Sequence, residues 1–282
     1  MTLIPFVTRR ARLLLTLLVV GSPAVCGRVD AAPCVDSTSE RCIDSQAAPA
    51  RADRSPGRIL VLPGVYNTRF QLSGFVERAE ARLPGFDVEV RRWGTPLLPL
   101  ANLRAHERNV ATAAALAAEI AEWRAAHPAD PFYLVGYSGG GGMAVLVAAA
   151  LPDGVEIDRL ILIAPAISPD YPLERDVLPH VRELVVNYAS ERDLQVGWGT
   201  RTFGTIDREY VDSAGAVGFA TNDPKVVQWY WSPADRELGH RGNHVAYLGG
   251  RWQAAALLPA LDPDATAETL VAAWGHRNGE SR

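Results

Sequence analysis

The run Pro131-Phe132-Tyr133-Leu134-Val135-Gly136-Tyr137-Ser138-Gly139-Gly140-Gly141-Gly142-Met143-Ala144-Val145 constrains this chain more than any other stretch. A short apolar segment of β-branched and aromatic residues, fenced by Pro131 and by glycine, predicts a buried strand. An Ala/Val/Leu-rich helix is expected from Met143 to Leu151. Between them, Gly136-Tyr137-Ser138-Gly139-Gly140 fits G-x-S-x-G, in which a serine sits on a sharp strand-to-helix turn. Serine there needs strained backbone angles, and side chains two positions away on either side would collide with the turn. The turn lifts the Ser138 hydroxyl above the sheet edge as a candidate nucleophile. It also aims the next N–H groups, at a helix N-terminus, toward an oxygen that becomes negative during acyl transfer.

The pattern by itself is short and built from common residues; the strand before it and the helix after it give it weight. Gly141 and Gly142 in a first helical turn each cost about 1 kcal/mol relative to alanine. That cost predicts close packing of the helix against the sheet.

The rest of the chain supplies the scaffold. Arg58 to Gly64 reads as a buried strand ending in a turn, followed by a helix from about Phe70 to Leu83 and a strand from Asp87 to Trp93. A long amphipathic helix is expected from about Leu103 to Ala126, stopped by His127-Pro128. After the serine turn come strands at Asp158–Pro165, Glu183–Tyr188 and Val226–Trp231, then a C-terminal helix from about Trp252. Six strands alternating with helices predict an α/β fold: a mainly parallel central sheet with helices on both faces. Ligands of such sheets bind outside the carboxyl ends of the strands. With 282 residues, 48% of them hydrophobic, the chain can bury a large core. A formal net charge of −4 leaves no basic footprint for nucleic acid, and that class is set aside.

The N-terminus reads as a targeting segment. Arg9, Arg10 and Arg12 precede an apolar run from Leu13 to Val20 and the small-residue site Ser22-Pro23-Ala24. This is the pattern of a secretory signal peptide, too short in its apolar part to span a bilayer comfortably. Residues 1–24 are assigned to it, 25–57 to a flexible tether, 58–276 to the folded domain and 277–282 to a tail. Export, periplasmic or secreted, is the expectation. Cys26 leaves open a lipoprotein anchor, which Pro23 and Val25 disfavour, and membrane attachment is expected only through it. Cys34 and Cys42 could pair in an oxidising compartment. No cysteine lies in the folded domain, which argues against a cysteine nucleophile or a zinc site.

With the serine turn on this scaffold, the region from Arg58 to about Trp274 resembles the α/β-hydrolase family in a reduced, six-strand version. The resemblance implies a nucleophile, an acid and a histidine in that order along the chain. Asp193, on the loop after Glu183–Tyr188, fits the acid best; Glu191, Asp207 and the more remote Asp235 are alternatives. His244 matches the late histidine better than His240, which could be a loop residue or contact substrate. His106, His127, His180 and His276 read as surface residues. By the same match the oxyanion hole is formed by the N–H groups of Gly139 and Val65, the latter in the turn Leu62-Pro63-Gly64-Val65-Tyr66. Trp198, Phe203, Phe219, Trp229 and Trp231 could line an acyl pocket or be core aromatics.

The implied activity is a serine hydrolase acting on a small-molecule or lipid ester, most simply a carboxylic ester, without a metal or organic cofactor. The same residues would serve a peptidase, amidase, thioesterase or lipase. A non-catalytic cell-envelope binding protein on a hydrolase scaffold is the alternative from another class.

Overall fold

A computed structural model describes residues 57–274. The expected signal peptide, residues 25–56 of the tether, the three cysteines, His276 and the tail lie outside the described residues.

Six parallel strands form one sheet: β1 (Arg58–Leu62), β2 (Asp87–Val90), β3 (Phe132–Tyr137), β4 (Ile157–Ile163), β5 (Val181–Ala189) and β6 (Val226–Tyr230). Their spatial order is β2-β1-β3-β4-β5-β6. The central strands β3 and β4 are buried along their whole length, whereas edge strand β2 is partly exposed. This is why β3 and the Leu160–Ile163 part of β4 read as continuous apolar runs and β2 does not.

Successive residues of each strand face opposite cores. Ile59, Val61, Tyr133, Val135, Ile161 and Val186 pack with Phe75 and Ala79 of α1 (Ser73–Arg82) and with Trp252, Leu257 and Trp274 near the C-terminus. Leu60, Leu62, Leu134, Leu160, Leu162 and Val185 pack on the other face. Their partners come from α3 (His106–Ala126) and α4 (Gly139–Ala149).

Several boundaries differ from the sequence expectation. The long helix is two: α2 (Pro99–Arg104) stops at Ala105, and α3 starts at His106. The first helix opens with a 3-10 turn, Phe70–Leu72. The helix after the serine starts at Gly139 rather than Met143. The C-terminal helix is interrupted: a π turn occupies Gln253–Leu257, and a separate helix spans Ala267–Trp274.

One buried cation ties the C-terminal segment to the sheet. Arg159 of β4 is 1% exposed, and its guanidinium donates to the carbonyls of Ala260, Asp262, Pro263 and Ala265 at 2.6–3.1 Å. It also pairs with Glu183 at 2.7 Å and lies over the Tyr133 ring. One side chain thus serves four backbone carbonyls of a partly buried turn, of which that of Asp262 also accepts the Ala265 N–H.

Candidate active site

The strand order reverses between β1 and β3: the chain leaves β1 toward β2 and returns to β3 on the other side. Loops after β1 and β3 therefore diverge and leave a crevice at their carboxyl ends. Ser138 caps β3 in that crevice with φ 57° and ψ −124°. A non-glycine residue there is strained, and persists only where its surroundings fix it. They do: the Ser138 N–H donates to the Ile163 carbonyl at 2.8 Å. The Ser138 carbonyl accepts from Gly141 and Ala166 at 2.8 and 3.0 Å.

The glycines around it are needed for space. A Cβ on Gly136 would strike the Gly140 carbonyl, and one on Gly140 the Leu62 carbonyl of β1. A Cβ on Gly141 would come within 2.8 Å of Pro165, and one on Gly142 within 2.8 Å of Ile206. The propensity cost of glycine in this helix is thus offset by contact with β1 and the loop after β4.

Val65 and Gly139 are neighbours in space. A Cβ built on Gly139 would lie 3.3 Å from the Val65 nitrogen, and one on Gly64 3.3 Å from the Ser138 Cβ. The turn Pro63–Asn67 is braced from below. The Trp93 indole N–H donates to the Pro63 carbonyl at 2.6 Å, and Asn102 Nδ2 to the Val65 carbonyl at 2.8 Å. Asn67 Oδ1 accepts from the Trp93 N–H at 3.0 Å. These bracing residues were not recognised in the sequence. The signal available was a polar Asn102 inside the apolar stretch Leu98 to Leu103; in the structure both asparagines are fully buried.

Asp193 and His244 meet. His244 Nδ1–H donates to Asp193 Oδ2 at 2.6 Å, across 51 residues of sequence. Asp193 is fully buried, and its other oxygen accepts from the Gln195 and Val196 N–H groups at 3.1 and 3.5 Å. One carboxylate oxygen is held by backbone and the other is left to the imidazole, which fixes the ring and its tautomer. His244 starts a 3-10 turn whose cap, Asn243, accepts the Ala246 N–H. Its loop is tied to the acid loop by Ser190 Oγ, which donates to the Gly242 carbonyl at 2.8 Å. Gly242 has φ 85°, and a Cβ there would crowd Arg192. Glycine alone fits both demands.

Tyr137, the residue before Ser138, completes the clamp on His244. The rings stack with centroids 4.9 Å apart and planes at 26°. The Tyr137 hydroxyl donates to the His244 carbonyl at 3.1 Å. Burial, and then the charge of Asp193, push the phenol pKa well above its ordinary value.

The alternatives lie elsewhere. His240 is buried, with Nδ1 accepting the Gly242 N–H at 3.1 Å and its ring edge-on to Tyr247. Its Nε2 is buried without a partner, and burial lowers its pKa to about 4. Asp207 accepts from the N–H and Oγ of Ser168. Asp235 accepts the Ser232 N–H as part of a capping box, and Glu191 is exposed. Of the aromatics, Phe219 and Trp229 are core residues. Trp231 lies under the guanidiniums of Arg192 and Arg236, and Phe203 under that of Arg104. Trp198 is exposed, on the short helix Trp198–Phe203 close to Asp193 in the chain.

A family model described as serine aminopeptidase, S33, matches residues 102–272, more than half of the chain. No curated protein matches it. Among solved structures, one designated a dienelactone hydrolase from Klebsiella pneumoniae subsp. pneumoniae MGH 78578 is 14% identical. That match covers 74% of this chain and 89% of that one, with a TM-score of 0.45. An acetylxylan esterase is 12% identical over 74% of this chain and 97% of its own, with a TM-score of 0.41. A cutinase-like protein from Cryptococcus sp. is 15% identical over 63% and 77%, with a TM-score of 0.34.

Proposed function

The chain belongs to the serine aminopeptidase S33 family of α/β-hydrolases, and on that premise we propose that it is a serine hydrolase cleaving a carboxylic ester through an acyl-enzyme. In this reading the Ser138 hydroxyl attacks the ester carbonyl while His244 Nε2 takes its proton. Asp193 holds the ring and stabilises the imidazolium. The N–H groups of Val65 and Gly139 donate to the oxyanion of the tetrahedral intermediate. His244 then protonates the departing alcohol, and water, deprotonated by the same ring, releases the acid and restores Ser138. The observation that carries the reading is the Asp193–His244 hydrogen bond at the same sheet end as a strained, buried serine.

The family description also raises cleavage of a peptide from its amino end. An aminopeptidase must hold a substrate ammonium, which calls for a carboxylate at the mouth. Residues 63–72 and 91–105, which form the Val65 side of the crevice, contain four arginines and no Asp or Glu. That wall offers no such carboxylate, whereas the loop after β5 carries Glu191, Asp207, Glu209 and Asp212, so substrate preference decides between the two bonds.

A fluorophosphonate probe followed by peptide mapping tests the assignment. Stoichiometric modification of Ser138, with p-nitrophenyl esters turned over faster than aminoacyl p-nitroanilides, is expected. Equal labelling of the Ser138→Ala protein would sink it. Export goes with this proposal, supported by the basic and apolar pattern of residues 9–24. Intact-mass analysis of protein from its native host should find a chain beginning at Val25, or an acylated Cys26.

A further inference from the structure

We propose that the loops following β1 and β2 form a docking surface for an anionic lipid surface, set beside the mouth of the Ser138 crevice. Five exposed large apolar side chains gather on these two stretches: Tyr66, Phe70, Leu97, Leu98 and Leu100. Phe70 is 87% exposed and Leu97 69%, values that a core-forming side chain does not have. The two loops are one unit, because the Leu97 N–H donates to the Tyr66 carbonyl at 2.9 Å and Asn102 Nδ2 bonds the carbonyls of both Val65 and Thr95. Leu97 has φ 62°, a conformation that bulky L-residues rarely adopt. The strained residue is an exposed leucine, which gains no burial within this chain. Strained residues cluster at functional sites, so a strained, exposed leucine beside the crevice motivates the proposal.

Charge selects the occupant. The same stretches carry Arg69, Arg91, Arg92 and Arg104 without a single Asp or Glu. Arg91 is engaged by Glu89 and Glu119, and Arg104 reaches over Phe203, whereas Arg69 and Arg92 are exposed. Apolar and aromatic tips flanked by arginines match a lipid interface, with the tips among acyl chains and the guanidiniums at headgroup phosphates. A second copy of this chain meeting the same face by two-fold symmetry would set arginines against arginines. The surface continues toward exposed Trp198 through the Arg104–Phe203 contact. Val65 and Gly64 lie against Gly139 and Ser138, so Tyr66 stands at the crevice itself. Resting on the hydrolase reading, the substrate class is an ester with a long acyl chain, taken directly from the lipid surface.

Vesicle sedimentation with the full chain tests this, using phosphatidylglycerol–phosphatidylcholine vesicles and phosphatidylcholine alone. The wild-type chain should partition onto the anionic vesicles, and L97D/L98D should lower the partition by about tenfold or more, as expected for two leucines lost from an apolar phase. R69Q/R92Q should lower it about fivefold per arginine, an effect that disappears at high salt. Phe70→Asp, changing the most exposed of these side chains, gives the same readout should the double variant lose its circular dichroism signature. Equal partition of wild type and variants, or no partition at all, overturns the proposal. A shift of oligomeric state in the variants with unchanged vesicle binding overturns it too, assigning the face to a protein partner. Binding is read without turnover. Vesicle binding that depends on these residues, in a chain that cleaves no ester, removes the hydrolase reading and leaves the docking surface.

Discussion

The ring of Tyr137 lies against the imidazole of His244 while its hydroxyl holds the His244 carbonyl, so the residue preceding the serine braces the histidine on two sides. The variable position inside G-x-S-x-G thus has a task of its own in this chain. Because burial and Asp193 keep the phenol protonated, the donor is present at any working pH.

Replacing that brace should therefore cost rate rather than binding. Tyr137→Phe keeps the stacked ring and loses the hydroxyl, which predicts a fall in kcat of about fivefold, the worth of one hydrogen bond. Tyr137→Leu loses both and should fall further, with KM little changed. Steady-state kinetics on a soluble ester separates the two parameters, and a change confined to KM would assign Tyr137 to substrate binding.

The carboxylate and the two histidines give a sharper contrast. Asp193→Asn should lower kcat by about 10³–10⁴-fold, because an amide no longer fixes the tautomer that leaves Nε2 free to accept a proton. His244→Ala should be at least as damaging. His240→Ala should retain most activity, since that ring faces Tyr247 and bonds Gly242 rather than Asp193. An inactive His240→Ala with an active His244→Ala would exchange their roles.

His240 should instead appear in the pH dependence of stability. Its folded pKa, about 4, lies below the ordinary histidine value of 6.5 because burial penalises the charged ring. Below pH 6.5 the unfolded chain takes up a proton that the folded chain refuses. Stability from this group is intact above pH 6.5 and falls as the pH drops toward 4, with a slope of at most about 1.4 kcal/mol per pH unit. Urea denaturation from pH 7 to pH 4.5 should show a shallower decline in His240→Phe than in wild type. Parallel curves would mean that the ring is protonated in place.

Arg159 offers a test of the core that leaves the site chemistry untouched. Arg159→Met fills a similar volume but abandons four carbonyls near the C-terminus. A loss of about 2–3 kcal/mol is expected, as for partly buried acceptors left without a donor, because the carboxylate left behind, Glu183, is 40% exposed and can be solvated. The chemical-denaturation midpoint measures it; a change below about 1 kcal/mol would mean that water replaces the guanidinium.

What the sequence revealed follows the range of the interactions involved. Strand β3, the turn and the helix after it are set by neighbouring residues, and their type was legible. Where α4 begins was legible only loosely: the apolar run marks Met143 onward and the glycines read as a first turn, and the helix starts at Gly139, against Leu62 and Pro165. The break at Ala105 escaped because apolar periodicity runs through it, while buried Asn102 turns aside to hold Val65 and Thr95. Asp193 and His244 could be listed from strand ends and chain order. Choosing His244 over His240 on physical grounds needs the hydrogen bond that spans 51 residues. The bracing of Pro63–Asn67 by Trp93 and Asn102 joins residues 26–37 apart, and no local pattern announces it.

The glycines about Ser138 bear on how such a chain can change over time. Gly136 is hemmed in by the helix, Gly140 by β1, Gly141 by Pro165 and Gly142 by Ile206. Each is fixed by a different neighbour, and three of those obstacles are backbone or proline, which no side-chain replacement can move aside. Accumulated substitutions are therefore shunted away from the serine turn.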